Sequence, residues 1–109
     1  MRPNRAERRA VWHYRLRGYR ILGTNVWAAG NEVDVIARRG RRIVFCEVKE
    51  KTGSRFGAPT EMVGPEKQRR VRRAAQAWLA RRPDLGGLEI RFDVVAVSGG
   101  RLERIVDAF

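Results

Sequence analysis

Residues 30–36, Gly-Asn-Glu-Val-Asp-Val-Ile, and residues 43–49, Ile-Val-Phe-Cys-Glu-Val-Lys, decide the fold: two short β-branched runs around an Arg-Gly-Arg turn read as a β-hairpin. Side chains two apart on a strand share a face, so Glu47 and Lys49 lie together on theirs. Asp34 belongs to the other strand, and the register decides its side. An even loop, of two or four residues, pairs Asp34 with Phe45 or Glu47, on the Lys49 face; a three-residue loop without a bulge pairs it with Cys46 and splits the group. When they converge, two hard carboxylates suit a divalent cation, and the ammonium beside them can stabilise charge on a water or a phosphate. The residues alone leave a second reading open, an exposed cross-strand cluster of ion pairs worth about 0.2–1 kcal/mol each.

Outward from the hairpin, residues 6–17 have helical content and Gly18 is a C-terminal stop, after which residues 19–27 form a first strand. Beyond residue 50, the irregular stretch 52–64 predicts the mobile loop of the fold. Pro65 suits the first turn of a second helix running to about Arg81, which ends before Pro83, Gly86 and Gly87. Residues 89–97 and 102–106, joined by Ser-Gly-Gly, supply the last two strands. The order is α-β-β-β-α-β-β, an α/β domain with a mixed central sheet flanked by helices. At 109 residues the chain has room for one such domain, residues 1–109, and no second module.

In the first helix Glu7, Ala10, Val11 and Tyr14 fall on one stripe, so Glu7 is expected to point inward, although Trp12 and Leu16 make a competing apolar stripe. A buried carboxylate costs several kcal/mol in effective terms unless it meets a cation or donors. A metal reached from the helix and an arginine at the helix end both answer that need. Lys49 stands out because the chain writes 21 arginines and only three lysines. Arginine cannot release a proton near neutrality, whereas lysine offers a compact charge with an adjustable pKa.

Net charge of +12 attracts polyanions over roughly 8 Å in physiological salt, which makes nucleic acid the expected partner. Phosphate contacts are expected from Arg38, Arg39, Arg41 and Arg42 at the hairpin tip and from Arg69, Arg70, Arg72 and Arg73 on the second helix. No apolar run approaches the ~20 residues of a membrane span, and residues 1–5 lack a signal-peptide core, so the chain reads as cytoplasmic. One cysteine and one histidine exclude an internal disulfide and a Cys/His zinc site. Cys46, sharing a face with Val44 and Val48, is expected to be a small buried hydrophobe, and His13 a surface residue. Trp78, on a stripe with Val71, Ala74 and Ala75, is core. Trp12 and Trp27 are expected in core or rim packing, with base stacking the alternative. Arg91 and Asp93 are expected to pair near the second helix.

An ordered set of short motifs covers nearly the whole chain: Glu7 with Ala10, Gly18-Tyr19, Asn25, Glu32 through Ile36, Val44 through Lys49, Phe56-Gly57, Lys67-Gln68, Arg91 through Val95, and Asp107-Ala108-Phe109. It resembles the YraN-like bacterial proteins, described as predicted endonucleases related to archaeal Holliday-junction resolvases. Ala6, Asn31, Cys46 and Gly64 depart from the family pattern without removing a proposed ligand. The resemblance implies a restriction-endonuclease-like fold whose acidic, Asp and Glu-x-Lys positions fall on Glu7, Asp34, Glu47 and Lys49. It implies metal-dependent phosphodiester hydrolysis in nucleic acid, DNA favoured and branched DNA included. Mg²⁺ or Mn²⁺ would sit on Asp34, Glu47 and the Val48 carbonyl, with Glu7 reaching it through water and Lys49 serving the attacking water. Glu32, on the Asp34 face by parity, would support the ligands. A homodimer follows by analogy with the resolvases. A catalytically silent nucleic-acid-binding domain of the same fold stays open as the alternative.

Overall fold

The computed structural model describes residues 4–51 and 63–109. Its elements follow the expected order: α1 (Arg5–Leu16), β1 (Arg20–Ala28), β2 (Asn31–Arg39), β3 (Arg42–Glu50), α2 (Pro65–Ala80), a 3₁₀ turn (Pro83–Leu85), β4 (Glu89–Ser98) and β5 (Arg101–Ile105). Residues 52–62, most of the expected loop, lie outside the described residues. The five strands stand in sequence order in one sheet. Every neighbouring pair is antiparallel except β3 and β4, which run parallel because α2 carries the chain back between them. The result is an α/β mixed sheet with the topology expected of a restriction-endonuclease-like fold.

The helices take opposite faces. Ala6, Ala10, Val11 and Tyr14 of α1 pack on Val35, Ala37, Val44, Cys46, Val95 and Val97. Val71, Ala74, Ala75 and Trp78 of α2 pack on Ile36, Ile43, Phe45 and Phe92. Strand β3 is therefore covered on both sides, which is why it reads as a continuous apolar run rather than an alternating one. Cys46 is buried in the α1-side core, as its neighbours Val44 and Val48 implied.

Turn chemistry sets the registers. Ala29 and Gly30, both at positive φ, close the β1–β2 hairpin in the manner of a type I′ turn. Arg39 pairs with Arg42 across the two residues Gly40 and Arg41, so the hairpin loop is even and the sum of paired numbers runs on to Val35 and Cys46. The β2–β3 pairing ends at that rung, and Asp34 and Glu47 project from the next position, where the strands part.

Several expectations need correction. Trp12 and Leu16 face solvent, so the Glu7 stripe is the inner one; Trp12 and Trp27 are 58% and 64% exposed and stand outside the core. His13 is half-buried rather than on the surface: its ring stands edge-on to Tyr14, and burial followed by Arg17 and Arg104 holds its pKa below the ordinary value. Arg91 and Asp93 do not pair. Arg91 bonds Glu89 on its own strand, while Asp93 lies beside Cys46 through the parallel pairing and meets Tyr14 of α1. Both Asp93 oxygens are taken, Oδ2 by the Tyr14 hydroxyl and Oδ1 by the Asp107 amide, beneath the first helix rather than the second, and Arg91 finds its carboxylate in Glu89.

Candidate metal centre

The site starts with a helix cap. The Asn4 side chain accepts from the Glu7 amide at 2.8 Å, and the Asn4 amide donates to Glu7 Oε1 at 2.8 Å, a reciprocal capping box that satisfies orphan donors of the first turn. The cap fixes Glu7 while the helix turns it inward, leaving it 7% exposed. Neither proposed answer for Glu7 anticipated this: its nearest fixed partner is the chain entering the helix.

Asp34 comes from β2, at a break in the strand's alternation. Val33 and Ile36, three apart, both join the α2-side core, and between the Thr24–Val35 and Val26–Val33 rungs Asn25 has φ 49, opposite Asp34. Positive φ suits asparagine better than most residues. At this kink Asp34 Oδ2 accepts from the Val48 amide at 2.8 Å, which ties the aspartate to β3 beyond the end of the ladder. Ligand atoms of Glu7, Glu32 and Asp34 all lie within 4.8 Å of one another. Glu47 neighbours Asp34, and each carboxyl acts on the titration of the other.

The electrostatics are strained. Burial, then the neighbouring Asp34 charge, pushes Glu47 up to about 8, with Lys67 opposing. Burial pushes Asp34 up to about 6, the Val48 amide opposing and the Glu7 charge adding to the rise. Among the described residues the cation within reach of Glu47 is Lys67 of α2, 3.8 Å from Oε2. Glu47 Oε1 is buried without a hydrogen-bond partner among the described residues, and so is Asn25 Oδ1. Unpaired buried oxygens are rare and costly. Hard oxygens that repel one another and lack donors are what a divalent cation relieves.

The carboxylates within mutual reach are Glu7, Glu32 and Asp34, with Glu32 a full member rather than a distant support, while Glu47 stands outside that trio and meets it through Asp34. Lys49 lies two residues beyond Glu47 on the same strand and is exposed. Val48 enters through its amide, which holds Asp34. Several of the hairpin-tip and α2 arginines have partners of their own: Arg42 with Glu89, Arg69 and Arg70 with Glu66, and Arg72 over the rings of Phe92 and Phe109. Sequence reasoning passed over Lys67, although the scarcity of lysine that singled out Lys49 applied to it equally. Asn4 was legible too, as a capping residue three before a glutamate.

Comparison with known proteins agrees with the motif set. The model of the uncharacterised protein family UPF0102 matches residues 6–97. A UPF0102 protein of Geobacter sulfurreducens is 42% identical over 105 residues, covering 92% of this chain and 80% of its own. One from Agrobacterium fabrum is 40% identical over 109 residues, covering 99% and 88%, and one from Syntrophus aciditrophicus is 45% identical over 96 residues, covering 84% and 75%. The chain belongs to the UPF0102 family, the YraN-like proteins.

Proposed function

We propose that this protein is a divalent-metal-dependent phosphodiester hydrolase acting on nucleic acid, with DNA the favoured substrate. The observation that carries the reading is the convergence of Glu7, Glu32 and Asp34 within 4.8 Å, with Glu47 neighbouring Asp34 and one of its oxygens unpartnered among the described residues, in a chain of net charge +12. The donor set fits Mg²⁺ or Mn²⁺: all carboxylate oxygen, no thiolate or imidazole. Asp34 and Glu47 would hold the ion, with the Val48 carbonyl beside them and Glu7 reaching it through water. Bound there, such an ion supplies Lewis acidity to a phosphate oxygen and lowers the pKa of an attacking water.

The chain's own groups do the rest. Asn4 fixes Glu7, and the Val48 amide fixes Asp34, so two carboxylates are pre-oriented before anything binds. Lys67 keeps Glu47 partly compensated, and Lys49, exposed beside it, is free to meet a phosphate oxygen or orient the water. The arginines on the hairpin tip and α2 supply non-specific grip on the backbone.

One observation favours the second reading, a catalytically silent nucleic-acid-binding domain: Lys49 is exposed and Lys67, not Lys49, pairs with Glu47. Cleavage of single-stranded and branched DNA in Mn²⁺ separates the two. The hydrolase reading expects cleavage that is lost in Asp34→Ala and Lys49→Ala with binding retained; salt-dependent binding with no calorimetric metal uptake would establish the silent domain instead.

A further inference from the structure

Two hollows flank β1, an edge strand with one side unpaired by any other strand of the sheet. One, about 380 Å³, runs between α1 and β1 and is lined by Arg8, Trp12, Arg15 and residues 21–24. The other, about 400 Å³, is lined by Trp27 with Trp78, Arg81 and Arg82. Leu22 borders both. Each hollow pairs an exposed indole with two arginines, and neither is lined by a carboxylate among the described residues. Arg15 stands 5.6 Å over the Trp12 ring, and Arg82 stands 4.0 Å over that of Trp78.

The position of this strip relative to the acids gives it meaning. Trp27 pairs across the ladder with Glu32, a member of the carboxylate cluster, and residues directly opposite have Cβ atoms about 5 Å apart. Trp12 lies on the outer face of the helix whose inner face carries Glu7, and Arg8 follows Glu7 directly. The first hollow lies on the α1 face of the sheet and the second on the α2 face, so a chain passing from Trp12 to Trp27 would cross the β1 edge at Leu22 and, at Trp27, stand beside Glu32 of the acidic cluster.

We propose that this strip binds a single-stranded segment of nucleic acid, its unpaired bases stacked on Trp12 and Trp27 and its phosphates on Arg8, Arg15, Arg81 and Arg82. Bases within a duplex are already stacked and paired, so exposed indoles select strands whose bases are free, and every base offers a π-face. The proposal rests on the hydrolase reading only for its product, and gives that site its substrate class: single strands, and the unpaired ends or junctions of branched nucleic acid. A second copy of this chain adding to the β1 edge is the competing occupant. Like charge disfavours it, since net +12 would face net +12 across arginine-lined hollows.

The test uses the full chain in EDTA, so that no hydrolysis enters. An oligothymidylate about a dozen residues long, within the span that such grooves take, is compared with a duplex by fluorescence anisotropy and by quenching of tryptophan emission. Trp12→Ala and Trp27→Ala should each weaken single-strand binding about tenfold, while duplex binding changes less than about twofold and Trp12→Phe and Trp27→Phe restore most of the loss. Equal loss on both probes, no loss on either, or a loss of self-association in sedimentation in place of oligonucleotide binding would overturn the proposal. Asp34→Asn separates it from the hydrolase reading: that variant should lose cleavage and keep the tryptophan-dependent preference for single strands.

Discussion

Two aspartates are buried in this sheet on either side of β3, and they could hardly be kept in more different company. Asp93, 1% exposed, is fully provided for: the Tyr14 hydroxyl donates to Oδ2 at 2.7 Å and the Asp107 amide donates to Oδ1 at 3.0 Å. Asp34, 8% exposed, receives the Val48 amide and is otherwise surrounded by Glu7, Glu32 and Glu47. Donors around a buried carboxylate make it part of the scaffold, and acceptors around one make it a site waiting for positive charge. Asp93 ties the chain end to the sheet, where Ala108 donates to the Phe92 carbonyl at 2.7 Å and Phe109 stacks on the Phe92 ring.

The contrast is sharpest in activity. Asp34→Ala or Glu47→Ala should lower Mn²⁺-dependent cleavage by on the order of 10³-fold, whereas Asp93→Asn should leave the rate per folded molecule within a few-fold. Cleavage that survives the loss of both cluster acids would end the distinction. In stability the order reverses. Asp93→Ala should cost about 3 kcal/mol in urea denaturation by orphaning the Tyr14 hydroxyl and the Asp107 amide, while Asp34→Asn or Glu47→Gln should leave the metal-free protein unchanged or stabilised near pH 8. Destabilisation of similar size in both places would mean that the cluster carboxylates are structural.

Acidity gives a third comparison. Asp34 and Glu47 titrate in the folded protein at about 6 and about 8, above their ordinary values of 3.8 and 4.5. Through that window the native state keeps protons that the unfolded chain has released, so the contribution of these two groups to metal-free stability is most favourable below about pH 4 and is lost as pH rises toward 8. Mn²⁺ should restore most of it at the alkaline end, because an ion binds the ionised carboxylates and displaces their protons. Melting temperature against pH, with and without Mn²⁺, reads this directly; a flat metal-free profile would show that the cluster is not strained. The smallest effect is expected at Asn4→Ala, about 1 kcal/mol from loss of the cap, measured by thermal unfolding.

How far the sequence revealed this divides along the same line. The carboxylates of the hairpin were legible as far as one condition, an even loop, which the two-residue connection between β2 and β3 meets in the structure. Glu7 was legible as far as its stripe. The surroundings of Asp93 were not, since they depend on a parallel pairing closed only after α2, which no local pattern specifies. Lys67 lies on that same crossover. The exposure of Trp12 and Trp27 escaped for another reason: large aromatic residues are usually buried, and only the placement of α1 and the edge position of β1 leave these two in solvent.

Glu7 holds two posts with one side chain, closing the first helical turn through Asn4 and standing among the acids. Thermodynamic reciprocity follows: whatever an ion gains from a well-formed helix start, the helix start gains from the ion, by the same factor. Amide exchange over the first turn of α1 should then slow on titration with Mn²⁺, although those amides touch no ligand. A change at Asn4 should alter ion affinity without removing a single coordinating atom.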